Sequence, residues 1–348
     1  MIKDFQRYLL TDAATIKDAL IALDKNSDDD ILTLIVVASN GVMQGSVTDG
    51  DIRRGLIQGK DLSENITSVM HTSFKFIDAD NKDVSLIKEL KEKGIKLLPF
   101  LDKDRKVEKV YSLKKMSSIL PIDAVIMAGG KGERLRPLTL TTPKPLLKVG
   151  DKCIIDYNVD SLINFGVENI SVTVNYLGEQ LEEHYKEKRS NIQVKCVREP
   201  KYLGTIGSVK FVDSFENDTV LLMNSDLFTN IDYEDFYLHF LNNEADMAVA
   251  TVPYSVNIPY GIFELSGREI QGIKEKPTYN YYANAGIYLI KKELFDLIPD
   301  DTFFNATDLI ELLISANRKV IRFPLTGYWI DIGKPADYQK AQDLVKHL

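Results

Sequence analysis

The chemistry most plainly written into this chain lies in residues 127–150, MAGGKGERLRPLTLTTPKPLLKVG. Glycines 129, 130 and 132 follow directly on an apolar run, so the backbone there can turn sharply and bring its N–H groups against phosphate oxygens with no Cβ in the way. Arg134 and Lys144 add charge of two kinds: a planar fork that fits pyrophosphate oxygens, and a mobile ammonium that can follow a phosphate. Pro143 and Pro145 flank Lys144 and stiffen the backbone that aims it. Other glycine motifs do not fit. A dinucleotide fingerprint requires glycine where Leu135 stands, and a Walker A loop requires Gly-Lys followed by Ser or Thr, which the sequence lacks.

Elsewhere, two aspartates end apolar runs: Asp226 in TVLLMNSD and Asp331 in GYWID. A carboxylate at a strand's C-terminal end suits a hard cation bridging triphosphate oxygens, and a turn aspartate is the plainer alternative. In IKEKPTYNYYANAGIYLI, the Glu275–Lys276 pair reads either as a polar site or as a solvated charge run. Thr48 and Asp51, in GSVTDGDIRRGLI, have the spacing of a helix cap.

The elements that carry these residues fall into two sets. Residues 1–117 hold two similar passages, each a helical pattern followed by a strand, a turn and a second strand. The first runs from TIKDALIAL through LTLIVVASNGVMQGSVTDGDIRRGLI, with a turn at Asn40-Gly41. The second runs from DVSLIKELKEKG, with Gly94 as C-cap, through IKLLPFLD and KVEKVYSL. SSILPI, containing Pro121, makes residues 118–122 a linker. From 123 to 348, the runs DAVIMAGG, NISVTVNYL, NIQVKCVRE, TVLLMNSD and DMAVATVPY alternate with the helical patterns IIDYNVDSLINFG and GEQLEEHYKEK. That alternation predicts an α/β layered domain with a mostly parallel sheet and a ligand at the strand C-terminal ends.

Composition bounds the rest. At 348 residues, 44% hydrophobic and 27% charged, the chain suits two globular domains. No apolar run approaches the roughly 18 residues of a membrane span. Acids interrupt the N-terminal MIKDFQRYLLTDAATIKDAL, so a soluble, cytoplasmic protein that binds no membrane is expected. Cys153 and Cys196 lack CxxC spacing and read as reduced, structural thiols. A net charge of -8 argues against a nucleic-acid partner.

The full string G-G-x-G-x-R-L-x-P-x-T-x-x-x-P-K-P-L closely resembles the signature of the sugar-1-phosphate nucleotidyltransferases, and the resemblance runs through nearly all of residues 123–340. It implies a Rossmann-like, three-layer domain. Ala128, Gly129, Gly130 and Gly132 would contact the nucleotide, Arg134, Lys144 and Asp226 would be catalytic, and Asp226 with Asp331 would bind Mg²⁺ as one ion or two. REPKYLGTIGSV matches an LGT-x-G element that places Gly204 and Thr205 against the base, with a helix beginning nearby that Thr205 could equally cap. The stretch around Tyr260, Gly261, Glu275, Lys276, Asn284 and Gly286 would hold the sugar phosphate. The chain departs from the pattern at Glu133, where many members carry Thr, and at Ser225, where the usual residue is Gly.

Residues 1–117 resemble an α+β tandem CBS (cystathionine beta-synthase) domain, mainly through GSVTDGDIRRGLI. Thr48 and Asp51 match that family's adenine-nucleotide contacts, whereas the second copy has Ser112 and Lys115 without the acid. The resemblances together imply nucleotidyl transfer from an NTP to a sugar 1-phosphate, with a regulatory or dimerising N-terminal module, an adenine-nucleotide effector and a homo-oligomer, dimer or higher. GTP with glucosamine 1-phosphate or mannose 1-phosphate is the favoured pair, for surface-glycan or nonulosonic acid synthesis. Thymidylyl, uridylyl or cytidylyl transfer to a hexose phosphate, and an inactive nucleotide-sensing subunit, are the alternatives.

Overall fold

In a computed structural model, residues 2–79 and 82–347 are described. The chain divides into two compact units, Met1–Pro121 with Asn164–Gly166, and Ile122–Ile163 with Val167–Leu348.

In the first unit the elements are β1 (Leu9–Thr11), α1 (Ile16–Lys25), β2 (Thr33–Val37), β3 (Met43–Thr48), α2 (Asp49–Ile57), α3 (Val84–Glu92), β4 (Leu97–Leu101) and β5 (Val107–Ser112). The expected repeat is visible as α1–β2–β3 and α3–β4–β5. Both hairpins are antiparallel, and both shift register at the last residue pair of their first strand, between Val36 and Val37 and between Phe100 and Leu101. Local chemistry explains the boundaries. Thr15 caps α1 in a box with Asp18, Thr48 caps α2 in a box with Asp51, Asp83 caps α3, and Gly94 follows α3 with a φ of +76° that favours glycine. Ile35 of β2 and Leu97 of β4 share one buried cluster with Tyr8 and Val110, which joins the two copies.

The second unit contains β6 (Asp123–Ala128), β7 (Lys148–Val149), β8 (Lys152–Cys153), α4 (Ile154–Asn164), β9 (Asn169–Val174), α5 (Gly178–His184), β10 (Val194–Arg198), β11 (Thr219–Asn224), β12 (Leu227–Thr229), α6 (Tyr233–Asn242), β13 (Met247–Asn257), β14 (Ile262–Ser266), β15 (Glu269–Lys274), β16 (Thr278–Lys291), α7 (Ala306–Ser315), β17 (Val320–Pro324), β18 (Trp329–Asp331) and α8 (Pro335–Val345). Seven strands form one sheet in the order β10-β9-β6-β11-β16-β13-β17. All pairs are parallel except those of β16, which runs antiparallel to both neighbours. The apolar runs of β6, β9 and β11 are buried along almost their whole length, as central strands covered on both faces require. A small antiparallel pair, β12 with β18, sets Leu227 opposite Asp331 and so brings two remote chain segments together. Among the described residues, no helix is long and apolar enough to cross a membrane.

Candidate active site

Three adjacent parallel strands, β9, β6 and β11, end at Val174, Ala128 and Asn224, and their C-terminal ends open on a cleft of about 670 Å³. Its walls come from residues 129–134, Lys144, Asn175, Glu199, Tyr202, Gly204, Thr205, residues 224–226 and Gly333. Ala128 itself is buried at the strand end, below this wall. Of the loop glycines, two have specific spatial roles. A Cβ on Gly129 would fall 1.9 Å from Glu199 Oε1, so the carboxylate occupies the space a side chain would need. A Cβ on Gly130 would meet nothing within 4 Å, which leaves that backbone face open to a ligand. The loop is tied from behind: the Thr139 hydroxyl donates to Gly132 O at 2.8 Å, and the Tyr176 hydroxyl donates to Thr139 O at 3.1 Å.

Four charged side chains converge beside the loop. The Arg134 guanidinium lies against Gly333, where a Cβ would stand 3.2 Å from Nη2, and makes no hydrogen bond or ion pair among the described residues. Lys144 is buried and donates to Asp226 Oδ2, so its ammonium is committed to a carboxylate 82 positions away instead of moving freely. Strand pairing puts Asp331 beside the residue that follows Asp226, and the Ile332 N–H donates to Asp226 O at 3.0 Å. Burial, and then the neighbouring Asp226 charge, push the Asp331 carboxyl above its ordinary range. Oδ1 of Asp226 and Oδ1 of Asp331 are both buried without a hydrogen-bond partner. Two orphaned carboxylate oxygens drawn together against their mutual repulsion fit a divalent cation, whose charge would satisfy both. Glu133, also in the cleft wall, pairs with Arg136 at 3.4 Å.

At the other end of the cleft stands Glu199, which sequence reasoning did not single out. It is 4% exposed; the Leu203 N–H donates to its Oε2 at 3.2 Å, and Oε1 accepts no hydrogen bond among the described residues. Burial pushes its carboxyl up from the usual range, against the opposing pull of the Leu203 N–H. The only sequence signal was its place in REPKYLGT, just ahead of the element assigned to the base. Gly204 and Thr205 line the same end. Thr205 does cap a helix, but a remote one: its Oγ1 accepts the Ala306 N–H of α7 at 2.8 Å, whereas the short 3₁₀ turn Gly207–Phe211 that follows it has no side-chain cap. Asn305 Oδ1 accepts the Thr205 N–H at 3.3 Å, which closes the link from the other side.

The residues assigned to the sugar phosphate divide. Asn284 accepts the Gly286 N–H at 2.9 Å and donates to the Tyr288 hydroxyl at 2.9 Å; a Cβ on Gly286 would meet Asn224 Nδ2 at 2.5 Å, which places that glycine directly behind the cleft wall. Tyr260, Gly261, Glu275 and Lys276 are not part of the wall. They bracket the β14–β15 hairpin, with Gly261 against Glu275 and the other two exposed, because β13 and β16 run on past the sheet and carry them outward. In the first unit, Thr48 and Asp51 satisfy each other: the Thr48 hydroxyl and N–H donate to Asp51 Oδ2 at 2.7 and 2.8 Å, and Arg54 donates to Oδ1 at 2.6 Å.

Comparison with known proteins places this arrangement among relatives. The sequence pattern of the family described as nucleotidyl transferase matches residues 123–347. The chain is 32% identical over 224 residues to a mannose-1-phosphate guanyltransferase of Yarrowia lipolytica, covering 62% of this chain and 61% of that protein. It is 32% identical over 232 residues to the bifunctional protein GlmU of Methanococcus maripaludis, covering 64% and 54%. The chain thus spans little more than half to three fifths of the length of these curated relatives. Among solved structures, HddC from Yersinia pseudotuberculosis complexed with GMP-PN superposes with a TM-score of 0.50 at 25% identity, covering 64% of this chain and 99% of that one.

Proposed function

The chain belongs to the nucleotidyl transferase family, and from that membership and the cleft we propose that it transfers a nucleotidyl group from an NTP, favoured as GTP, to a sugar 1-phosphate, favoured as mannose 1-phosphate or glucosamine 1-phosphate. A phosphate oxygen of the sugar 1-phosphate attacks the α-phosphorus; the bond from that phosphorus to the β-phosphate bridging oxygen breaks, and pyrophosphate leaves. No protein nucleophile is required, so the work of the chain is positioning and charge stabilisation. The open backbone at Gly130 and the Arg134 guanidinium, whose charge also acts on Asp331, would hold the triphosphate oxygens. Asp226 and Asp331 would hold Mg²⁺, which when bound supplies positive charge against the triphosphate. Lys144 neutralises Asp226 and keeps a cation beside the site of transfer.

The observation that carries the choice of base is Glu199. Guanine alone among the common bases presents two adjacent donors, N1–H and N2–H₂, on its Watson–Crick edge, and a carboxylate is acceptor-only. Thymine and uracil set one donor between two acceptors, while adenine and cytosine set a donor beside an acceptor. With Oε1 vacant and a second lone pair on Oε2, this buried carboxylate can accept both guanine donors at once, whereas every other base would set an acceptor against one of its two oxygens. The guanyl nucleotide analogue in the HddC complex and the guanyltransferase name of the Yarrowia relative support the same base. For the N-terminal unit, the doubled α–β–β passage supports a CBS-like module. An adenine-nucleotide effector there would have to compete with the Thr48–Asp51 capping box. Pyrophosphate release measured with GTP, dTTP, UTP, CTP and ATP against a panel of hexose and hexosamine 1-phosphates, with Mg²⁺, tests the reading. Turnover with GTP and one sugar supports it; turnover only with UTP or dTTP, or none with any pair, refutes it.

A further inference from the structure

A carboxylate such as Glu199 can meet only the edge of a base, and a planar base also has faces to cover. At this end of the cleft the wall is made of small or polar side chains, Gly129, Asn175, Gly204 and Thr205, with one exception. Tyr202, three positions beyond Glu199, is the one aromatic side chain in the wall among the described residues. It is 53% exposed and stands edge-on to Phe303, itself 55% exposed, with ring centroids 5.8 Å apart and planes at 65°. Aromatic rings are the large apolar groups that line ligand sites, and a ring pair left half in water at a cleft mouth is a surface for a ligand to cover.

The backbone beneath the two rings is tied from both sides. The Leu203 N–H donates to Glu199 Oε2 at 3.2 Å, which closes residues 199–203 into a turn that carries both Glu199 and Tyr202. Leu203 O accepts the Phe304 N–H at 2.9 Å, and Phe304 O accepts the Ile206 and Gly207 N–H groups at 3.1 and 3.2 Å. Gly204 permits that approach, since a Cβ there would fall 2.6 Å from Phe304 O. At the rim, Lys201 pairs with Asp301 at 2.9 Å. Residues 301–305 are thus stitched to the turn, and Phe303 is carried with them to the edge of the Tyr202 ring.

We propose that Tyr202 stacks on the face of the base bound in this cleft, and that Phe303 is a positioning residue that fixes the Tyr202 ring. The inference rests on the reading of the cleft as a nucleotide site, but on no particular base. Every base has a π-face, so stacking adds affinity without choosing among bases, whereas a carboxylate at the edge chooses. Glu199 and Tyr202 thus divide the work into selection and grip. Phe303 contributes by its edge contact, which holds the tyrosine ring in one orientation before the base arrives, so that less side-chain freedom is lost on binding.

Calorimetric titration of the full chain with Mg²⁺ and each of GTP, dTTP, UTP, CTP and ATP finds the nucleotide that wild type binds most tightly. Tyr202→Ala, Tyr202→Phe, Phe303→Ala and the double variant Tyr202→Ala, Phe303→Ala are then titrated with that nucleotide. Both positions are exposed, so the fold should survive, and thermal melting checks that it does. Tyr202→Ala should raise Kd by roughly 5- to 150-fold, the effect of truncating a stacked ring, and Tyr202→Phe should keep the wild-type value. Phe303→Ala should weaken binding when Tyr202 is present and add nothing in the double variant, because it acts through that ring. A Kd in Tyr202→Ala within about twofold of wild type, too small for a lost stack, or an equal loss in Tyr202→Phe would overturn the stack while leaving the nucleotide site standing. A Phe303→Ala variant that binds as wild type does, or whose loss adds in full in the double variant, would overturn the positioning role. A wild-type chain that binds none of the five nucleotides would refute the reading of the cleft itself, and the stack with it.

Discussion

Replacing Glu199 with Gln tests the base assignment where it is most exposed to failure. The substitution is nearly isosteric: the amide oxygen can still accept the Leu203 N–H at Oε2, and the amide fits the space beside Gly129 that the carboxylate fills. The fold should therefore survive. What changes is the group presented to the base, since one acceptor becomes an NH₂ donor facing a guanine donor. A hydrogen bond to a charged group contributes about 1.5–3 kcal/mol, and at 4% exposure little water is available to repair the mismatch. Since about 1.36 kcal/mol is a factor of ten, kcat/KM for GTP should fall roughly 10- to 150-fold. The value for UTP or dTTP should hold or rise, because an amide can pair with N3–H and a flanking carbonyl together. The assay is steady-state pyrophosphate release with each nucleotide at fixed sugar phosphate. A kcat/KM for GTP within about threefold of wild type, well below the change the lost hydrogen bond demands, would refute the role.

The remaining expectations concern the loop, the pH and the first unit. Arg134→Ala should lower turnover by about 10²-fold or more by removing a preorganised charge donor, and near-wild-type turnover would exclude the guanidinium from the reaction. Gly129→Ala forces a Cβ to 1.9 Å from Glu199 Oε1; displacing that buried carboxylate should cost about 1–3 kcal/mol in stability and weaken GTP binding, read by thermal melting and calorimetry, and an unperturbed variant would contradict the packing. GTP affinity should fall as pH is lowered, because guanine requires the ionised Glu199. Its folded pKa is raised by burial, so the loss should begin at a higher pH than the ~4.3 of a free glutamate predicts, and a binding curve flat to that point would count against it. Thr48→Ala should destabilise the first unit by about 1 kcal/mol through loss of the α2 cap, with no change in melting arguing against the box as a stabiliser.

How much of this was legible in the chain depended on distance along it. The strands from Asp123 to Asn224 are continuous apolar runs, and the glycine loop is one contiguous string, so both could be read without knowledge of partners. The α1 and α2 boundaries were local too, set by capping residues three apart. What escaped is what long-range pairing decides. β16 runs antiparallel between β11 and β13 although its residues carry no mark of direction, and the apolar hairpin that precedes it reads as core strand although it is exposed. Lys144 meets Asp226 across 82 positions, and Thr205 caps a helix that begins 101 positions later. Glu199 was passed over because a glutamate between Arg198 and Pro200 reads as surface charge; only burial, and the missing partner at Oε1, set it apart.

In the proposed reaction one cleft would hold the base at Glu199 and the triphosphate between the glycine loop and the Asp226–Asp331 pair. The most direct test follows [α-³²P]GTP with Mg²⁺ and mannose or glucosamine 1-phosphate, using the wild-type chain beside Asp226→Asn. The account predicts that label moves into a nucleotide sugar with an equal yield of pyrophosphate, and that the variant abolishes both. Label that stays in GTP with every sugar offered, or that moves as fast in Asp226→Asn as in wild type, would contradict it.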